Sequence, residues 1–245
     1  MRKIVAVTFD LWDTLVKEHP GGGEKVARIR TESIRALLAS KGILYTDREI
    51  QDAYSKTGNF LDMTWSKHRD MPVRDQILFM LSSIDDKLAG RISNSDLAEL
   101  ERIYAEGILE NPPALLPGAR EALAAVSDCD YKVGLISNTG RSPGAVLRVV
   151  MGNMGILDFF DKTTFSNEVL VRKPAEGVFR HTLESLRVFP STAVHVGDSV
   201  ESDVVGAKRA GMMAIQLITN GNAKSELADG YVTSMADLLG TIERL

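Results

Sequence analysis

Ile4-Val5-Ala6-Val7-Thr8-Phe9 is an unbroken apolar or β-branched run that stops at Asp10. A strand without polar alternation is buried on both faces, as strands of a parallel sheet are. Comparable runs span Lys132 to Ser137, Ala193 to Gly197 and Met213 to Leu217, with shorter ones at Lys162 to Phe165 and Tyr231-Val232. Helical spacing fills the gaps, over Ala119 to Val126, Ala145 to Met154, Glu176 to Leu186 and Asp203 to Ala210. Strands alternating with helices predict right-handed βαβ units, and so an α/β fold with a doubly wound, parallel Rossmann-like sheet.

The stretch from about residue 17 to 111 breaks this rhythm, with helical spacing and no strand. Val26, Ile29, Ile34, Leu37 and Leu38 predict one helix, ended at Gly42. Thr46-Asp47-Arg48-Glu49 reads as a capping box opening a second, with Ile50, Ala53, Tyr54 and Leu61 on its apolar side. Pro72 suits the first turn of a third that carries Ile77, Leu78 and Leu81. Asn94 or Ser95 is the expected cap of a fourth, with Leu97, Leu100, Ile103 and Tyr104. Gly21-Gly22-Gly23 and Pro112-Pro113 read as linkers. The expected organisation is a core of residues 1–17 and 112–245 with an all-helical cap domain inserted at residues 18–111.

A chain of 245 residues can bury the core this layout needs. Its net charge of −4 offers no basic footprint for nucleic acid or an anionic membrane surface. No run approaches the ~20 apolar residues that span a bilayer. The lone cysteine, Cys129, excludes an internal disulfide framework. Only a short apolar run follows Met1-Arg2-Lys3, with no small-residue cleavage site. The expectation is a soluble cytoplasmic protein acting on a small molecule.

Ligands of a doubly wound sheet bind at the carboxyl ends of the strands, near the topological switch point. Asp10 stands at one such end, Ser137-Asn138-Thr139 at the next and Gly197-Asp198-Ser199 at a third, while Lys173-Pro174 follows a fourth segment. Taken singly, an Asp or a Ser-Asn-Thr after a strand is usually a helix cap or turn former. Their common placement along one sheet edge is what points to a site. Asp10, Asp198 and Asp203 gathered there would repel one another unless a cation intervened. Mg²⁺, which takes one or two carboxylates plus a substrate phosphate, suits such a set. His195 lies within a strand and reads as a packed core histidine. In the insert Trp65, His68, Arg69 and Arg74 are candidates to face a substrate, although charged helix positions are usually solvated.

Phe9-Asp10-Leu11-Trp12-Asp13-Thr14-Leu15 resembles the first motif of the haloacid dehalogenase superfamily, whose leading Asp is a nucleophile. Leu135 to Thr139 is similar to the second motif, Ser166 to Val169 with Arg172-Lys173-Pro174 to the third, and His195 to Ser199 with Asp203 and Gly206-Ala207 to the acidic fourth. The helical insert occupies the place of that superfamily's C1 cap. The resemblance implies Asp10 as nucleophile and Lys173 as the amine that holds it and a phosphoryl group. It implies Ser137 and the amides of Asn138 and Thr139, near a helix start, as phosphate ligands. It further implies Mg²⁺ held by Asp10, Asp198, Asp203 and the Trp12 backbone carbonyl. The activity implied is hydrolysis of a small phosphate ester or acyl phosphate through an aspartyl-phosphate.

The motifs depart from the phosphatase pattern at one place. That pattern has a second Asp two residues after the nucleophile, to protonate the leaving group and later activate water. Trp12 stands there, and an indole does neither. Asp13 is the candidate substitute; alternatively it fills the motif's usual glycine position and points away. An aromatic residue at that place also occurs in the 2-haloacid dehalogenase branch, which releases halide without a metal. The Gly197-Asp198-Ser199 start and Asp203 belong instead to the phosphatase form, which is therefore favoured. Two other readings stay open: a metal-independent 2-haloacid dehalogenase, and a weakly active binding protein on the same fold.

Overall fold

In the computed structural model, which describes residues 4–219 and 223–245, the apolar runs pair as one sheet. Its strands are β1 (Ala6–Phe9), β4 (Lys132–Ser137), β5 (Lys162–Phe165), β6 (Ala193–Gly197), β7 (Met213–Leu217) and β8 (Gly230–Val232). Their spatial order is β5-β4-β1-β6-β7-β8, and every neighbouring pair is parallel. The chain thus builds outward from β1 to β5 on one side, then crosses to β6 on the other. The crevice at that reversal lies at the carboxyl end of β1, where Asp10 follows. A second feature had no periodicity to betray it: two-residue strands β2 (Val16–Lys17) and β3 (Ala114–Leu115) pair antiparallel where the chain leaves and rejoins the core.

Between them lie four helices, α1 (Gly22–Ser40), α2 (Asp47–Trp65), α3 (Val73–Ile84) and α4 (Asn94–Glu106). Their inward faces, with Ile34, Leu38, Ile50, Ile77, Leu100 and Tyr104, form a hydrophobic cluster separate from those of the sheet. Thr46 and Glu49 make the reciprocal capping box at the start of α2. Other boundaries differ from expectation. Gly22 and Gly23 open α1 and only Gly21, at φ 70, turns outside it. Pro72 precedes α3 instead of entering its first turn. Ser93, rather than Asn94 or Ser95, caps α4, its hydroxyl accepting from the Asp96 amide at 3.1 Å.

In the core, side chains alternate across each strand. Val7, Phe9, Val133 and Leu135 pack with α5 (Ala119–Asp128), α6 (Gly144–Asn153) and the closing turn α10 (Leu238–Ile242). Ala6, Ile136 and Ala193 face the opposite way, toward α8 (Glu176–Leu186) and α9 (Gly206–Arg209). A one-turn helix, α7 (Ser166–Val169), follows β5. The helix expected over Asp203 to Ala210 begins earlier and wider, as a π-turn at Val200–Val205 that leads into α9. Such turns recur at functional sites, and here it bends Asp203 back beneath the end of β6. Among the described residues no helix is long and apolar enough to cross a membrane.

Candidate active site

β4, β1 and β6 are neighbours, so Ser137, Asp10 and Asp198 sit at three adjacent strand ends. The Asp10 amide still belongs to the sheet, donating to the Val196 carbonyl at 2.9 Å, which fixes the carboxylate over the crevice. Oxygen atoms of Asp10, Asp198 and Asp203 all lie within 4.8 Å of one another. Lys173 reaches under them: its Nζ donates to Asp10 Oδ1 at 2.5 Å and to Asp203 Oδ1 at 2.7 Å. Asp203 has further partners, since Oδ1 meets His195 Nε2 at 3.2 Å and Oδ2 accepts from the Ser199 amide at 3.0 Å. Gly197 is required by this approach, because a Cβ there would collide with the Asp203 carboxylate.

Burial sets the electrostatics. It pushes the Asp10 carboxyl up to about 7, with Lys173 opposing the rise and Asp203 adding to it. Burial works on Asp203 in the same sense, but Lys173 and His195 outweigh it and hold that carboxyl well below the usual range. Lys173 is buried too, which would favour the neutral amine, yet the two carboxylates raise its pKa and keep it charged. His195 is lowered by burial, and the neutral ring is braced by Thr8 Oγ1 at 2.8 Å from Nδ1. It is packed in the core, as its place within a strand predicts, and its Nε2 points at Asp203.

The loop after β4 departs from expectation. The Asn138 side chain clamps the backbone of Lys173, Oδ1 accepting from its amide at 2.8 Å and Nδ2 donating to its carbonyl at 3.1 Å. The Thr139 amide donates to Ser166 Oγ at 2.8 Å, so it is not held out for a phosphate. Nor is a helix start at hand, since α6 begins only at Gly144. Ser137 is fully buried at its strand end, its hydroxyl 3.3 Å from the Asn138 carbonyl. Asp13 takes a left-handed backbone at φ 54, and its exposed carboxylate sits 4.0 Å from Lys17 Nζ. It is absent from the cavity wall that Trp12 helps to form.

That cavity, about 450 Å³, lies between insert and core and is walled by Trp12, Asn138 and Thr139 from the core loops. Of the four insert candidates only Trp65 lines it; Arg74 is paired with Glu101 at 2.9 Å instead. Residues that the sequence did not mark for a site complete it: Arg30 and Tyr54, the latter expected only on an apolar helix face, from the insert, and Arg141 from the loop after β4. Asp70 was missed as well. This buried carboxylate accepts from Trp65 Nε1 at 3.1 Å, Thr139 Oγ1 at 3.0 Å, Arg172 Nη1 at 2.8 Å and the Ser166 hydroxyl. It clasps the insert onto the core, helped by backbone bonds between residues 68–70 and 170–172. Only the partners, distant in sequence, reveal it.

The family model of haloacid dehalogenase-like hydrolases matches residues 4–211. The glyceraldehyde 3-phosphate phosphatase of Pyrococcus furiosus is 31% identical over 136 residues, which is 53% of this chain and 55% of that one. The phosphoglycolate phosphatase of Yersinia pseudotuberculosis is 27% identical over 249 residues, covering 98% of this chain and 94% of its own. Among solved structures, a 2-haloacid dehalogenase from Pseudomonas syringae superposes with a TM-score of 0.71 at 24% identity, over 98% of this chain and 99% of that one. That likeness is one of fold.

Proposed function

The chain belongs to the haloacid dehalogenase-like hydrolases, and from that premise we propose that it is a Mg²⁺-dependent phosphatase of small molecules, using Asp10 as nucleophile. The observation that carries this reading is the meeting of three carboxylates at one point. With all three carboxylates ionised, Asp10, Asp198 and Asp203 bring three negative charges to one cluster, and Lys173 returns one positive charge. A dication offsets that crowding of carboxylates, and the donors are all oxygen, as Mg²⁺ prefers. Asp10, Asp198 and the Trp12 carbonyl are the residues to hold it, with Asp203 either a direct ligand or, its oxygens already engaged, the group that orients Lys173. When bound, the ion neutralises the cluster and draws charge from phosphate oxygens.

The protein's own groups account for the rest. Lys173 fixes the Asp10 carboxylate and offers a positive charge to the transferring phosphoryl group. Asp10 attacks phosphorus, the bond to the leaving oxygen breaks, and water then cleaves the aspartyl-phosphate. Asn138 holds the Lys173 backbone in register with the nucleophile. The Asp70 clasp keeps the insert over the site, and the relatives named as phosphatases of phosphorylated metabolites support a small phosphate ester as substrate, an acyl phosphate being the other class this site would take.

Trp12 shapes the selectivity. An indole in the cavity wall gives no proton to a departing alkoxide, whereas nitrophenolate or a carboxylate leaves unaided. Wild type is therefore expected to favour nitrophenyl and acyl phosphates over sugar phosphates. Trp12→Asp should raise turnover of alkyl phosphates by up to ~10²-fold, the low end of an acid–base contribution. Asp13→Asn should change neither class, given where its carboxylate points; a large loss confined to alkyl phosphates would hand Asp13 the acid's role. The deciding assay is a panel of phosphate esters and 2-haloacids with Mg²⁺ and with chelator. Phosphate release that needs Mg²⁺ is expected. Chloride release undiminished in chelator would make the protein a dehalogenase, and no turnover of either class would leave a binding protein.

A further inference from the structure

The cavity holds more positive charge than the chemistry at Asp10 requires. Three guanidinium groups line it, those of Arg30, Arg141 and Arg172. Arg172 is answered by Asp70 at 2.8 Å. The other two are not answered. Arg30 is buried, at 7% exposure, and its donors meet only neutral groups: the Tyr104 carbonyl at 2.7 Å, Ser142 Oγ at 2.7 Å and the Tyr54 hydroxyl at 3.3 Å. Arg141 donates to the Tyr104 hydroxyl at 3.0 Å and the Tyr54 carbonyl at 3.2 Å, and its face lies 4.0 Å from the centre of the Tyr54 ring. Among the described residues no carboxylate stands within 4.0 Å of either. Glu18 also lines the cavity, but it is exposed and pairs with neither.

A buried charge without a counter-charge is costly, and protein structures seldom keep one idle. Arg30 is buried and Arg141 half-buried, and both are held by neutral acceptors and aromatic faces, which leaves further N–H donors on each fork. A planar guanidinium fits a carboxylate or phosphate in a two-point contact. Asp10 does not line that cavity, but Trp12, two residues beyond it, and Asn138, which clamps Lys173, both do, so the cavity wall abuts the site. We infer that the substrate carries two anionic groups: a phosphate presented to Asp10 and, across a short carbon chain, a carboxylate or second phosphate received by Arg30 and Arg141. The first group rests on the phosphatase reading. The second rests on the guanidinium pair alone.

Calorimetry with non-hydrolysable phosphonates, in the presence of Mg²⁺, tests this without turnover. Phosphonoacetate or ethylene diphosphonate should bind wild type at least about 10-fold more tightly than ethylphosphonate, the scale of a charge-assisted two-point contact. Whichever of the two binds better identifies the second anion. Arg141→Met should erase most of that preference, and Arg141→Lys, which keeps the charge but not the fork, should retain part of it. A thermal melt of each variant separates lost binding from lost folding; if Arg141→Met does not fold, wild type and Arg141→Lys decide. Equal affinities for the three phosphonates in wild type, no binding of any of them, or a preference that survives Arg141→Met in a folded protein would overturn the inference. Hydrolysis of nitrophenyl phosphate without a phosphonate preference would sink the second anion and leave the phosphatase reading. A preference without any hydrolysis would do the reverse.

Discussion

Asp10→Asn should abolish turnover of every substrate, a loss on the order of 10⁶ by analogy with nucleophile removal in other hydrolases. The side chain keeps its shape, and Lys173 remains paired with Asp203, so the fold should survive. Stability makes the same point from another side. Burial lifts the Asp10 carboxyl from its ordinary value of 3.8 to about 7 when no cation is bound. A raised acid contributes stability that is fully present below its unfolded pKa and is lost as pH climbs through the folded one. In chelator, wild type should therefore weaken relative to Asp10→Asn between about pH 4 and pH 7, then run parallel to it. A variant that keeps measurable turnover, or no such pH-dependent gap in the melts, would remove Asp10 from the centre of the site.

Lys173→Met should be the most damaging change to the folded protein. It removes a cation shared by two buried carboxylates while filling similar space. Stranding a buried charge in this way costs about 3–5 kcal/mol, or a fall in Tm of roughly 6–20 °C for a chain of this size. Mg²⁺ should recover part of that fall, because a dication answers the same charges. Activity should fall by at least ~10³-fold, since both the nucleophile and the phosphoryl group lose their positive partner. A melt unchanged by the substitution would mean that the lysine is not charged in the fold.

The strands that carry the site were readable because burial on both faces leaves unbroken apolar runs. Lys132–Ser137, Ala193–Gly197 and Met213–Leu217 coincide with the runs themselves. Asp10, Ser137 and Asp198 were placed at strand ends for the same reason. What the loops do with their donors was not readable. The Thr139 amide is taken by Ser166, and Asn138 holds the main chain of Lys173; such pairings depend on how two loops meet, not on either loop's composition. Asp203 lay in an expected helix, but a π-turn positions it, and periodicity does not register one extra residue in a turn. Arg30, Asp70 and Arg141 belong to no motif and no periodic pattern. Their roles arise from contacts between insert and core, such as Arg30 with Ser142, that span many residues of sequence.

Trapping the covalent intermediate tests the central claim most directly. Without an acid–base group at Trp12, water is poorly activated for the second step, so the aspartyl-phosphate should accumulate. Wild type quenched in acid during turnover of nitrophenyl phosphate with Mg²⁺, then digested and weighed by mass spectrometry, should carry one phosphoryl group on the peptide holding Asp10. Chelator, or Asp10→Asn, should leave that peptide unmodified. Steady turnover with the phosphoryl group on another residue, or an undiminished label in chelator, would contradict a Mg²⁺-dependent aspartyl mechanism.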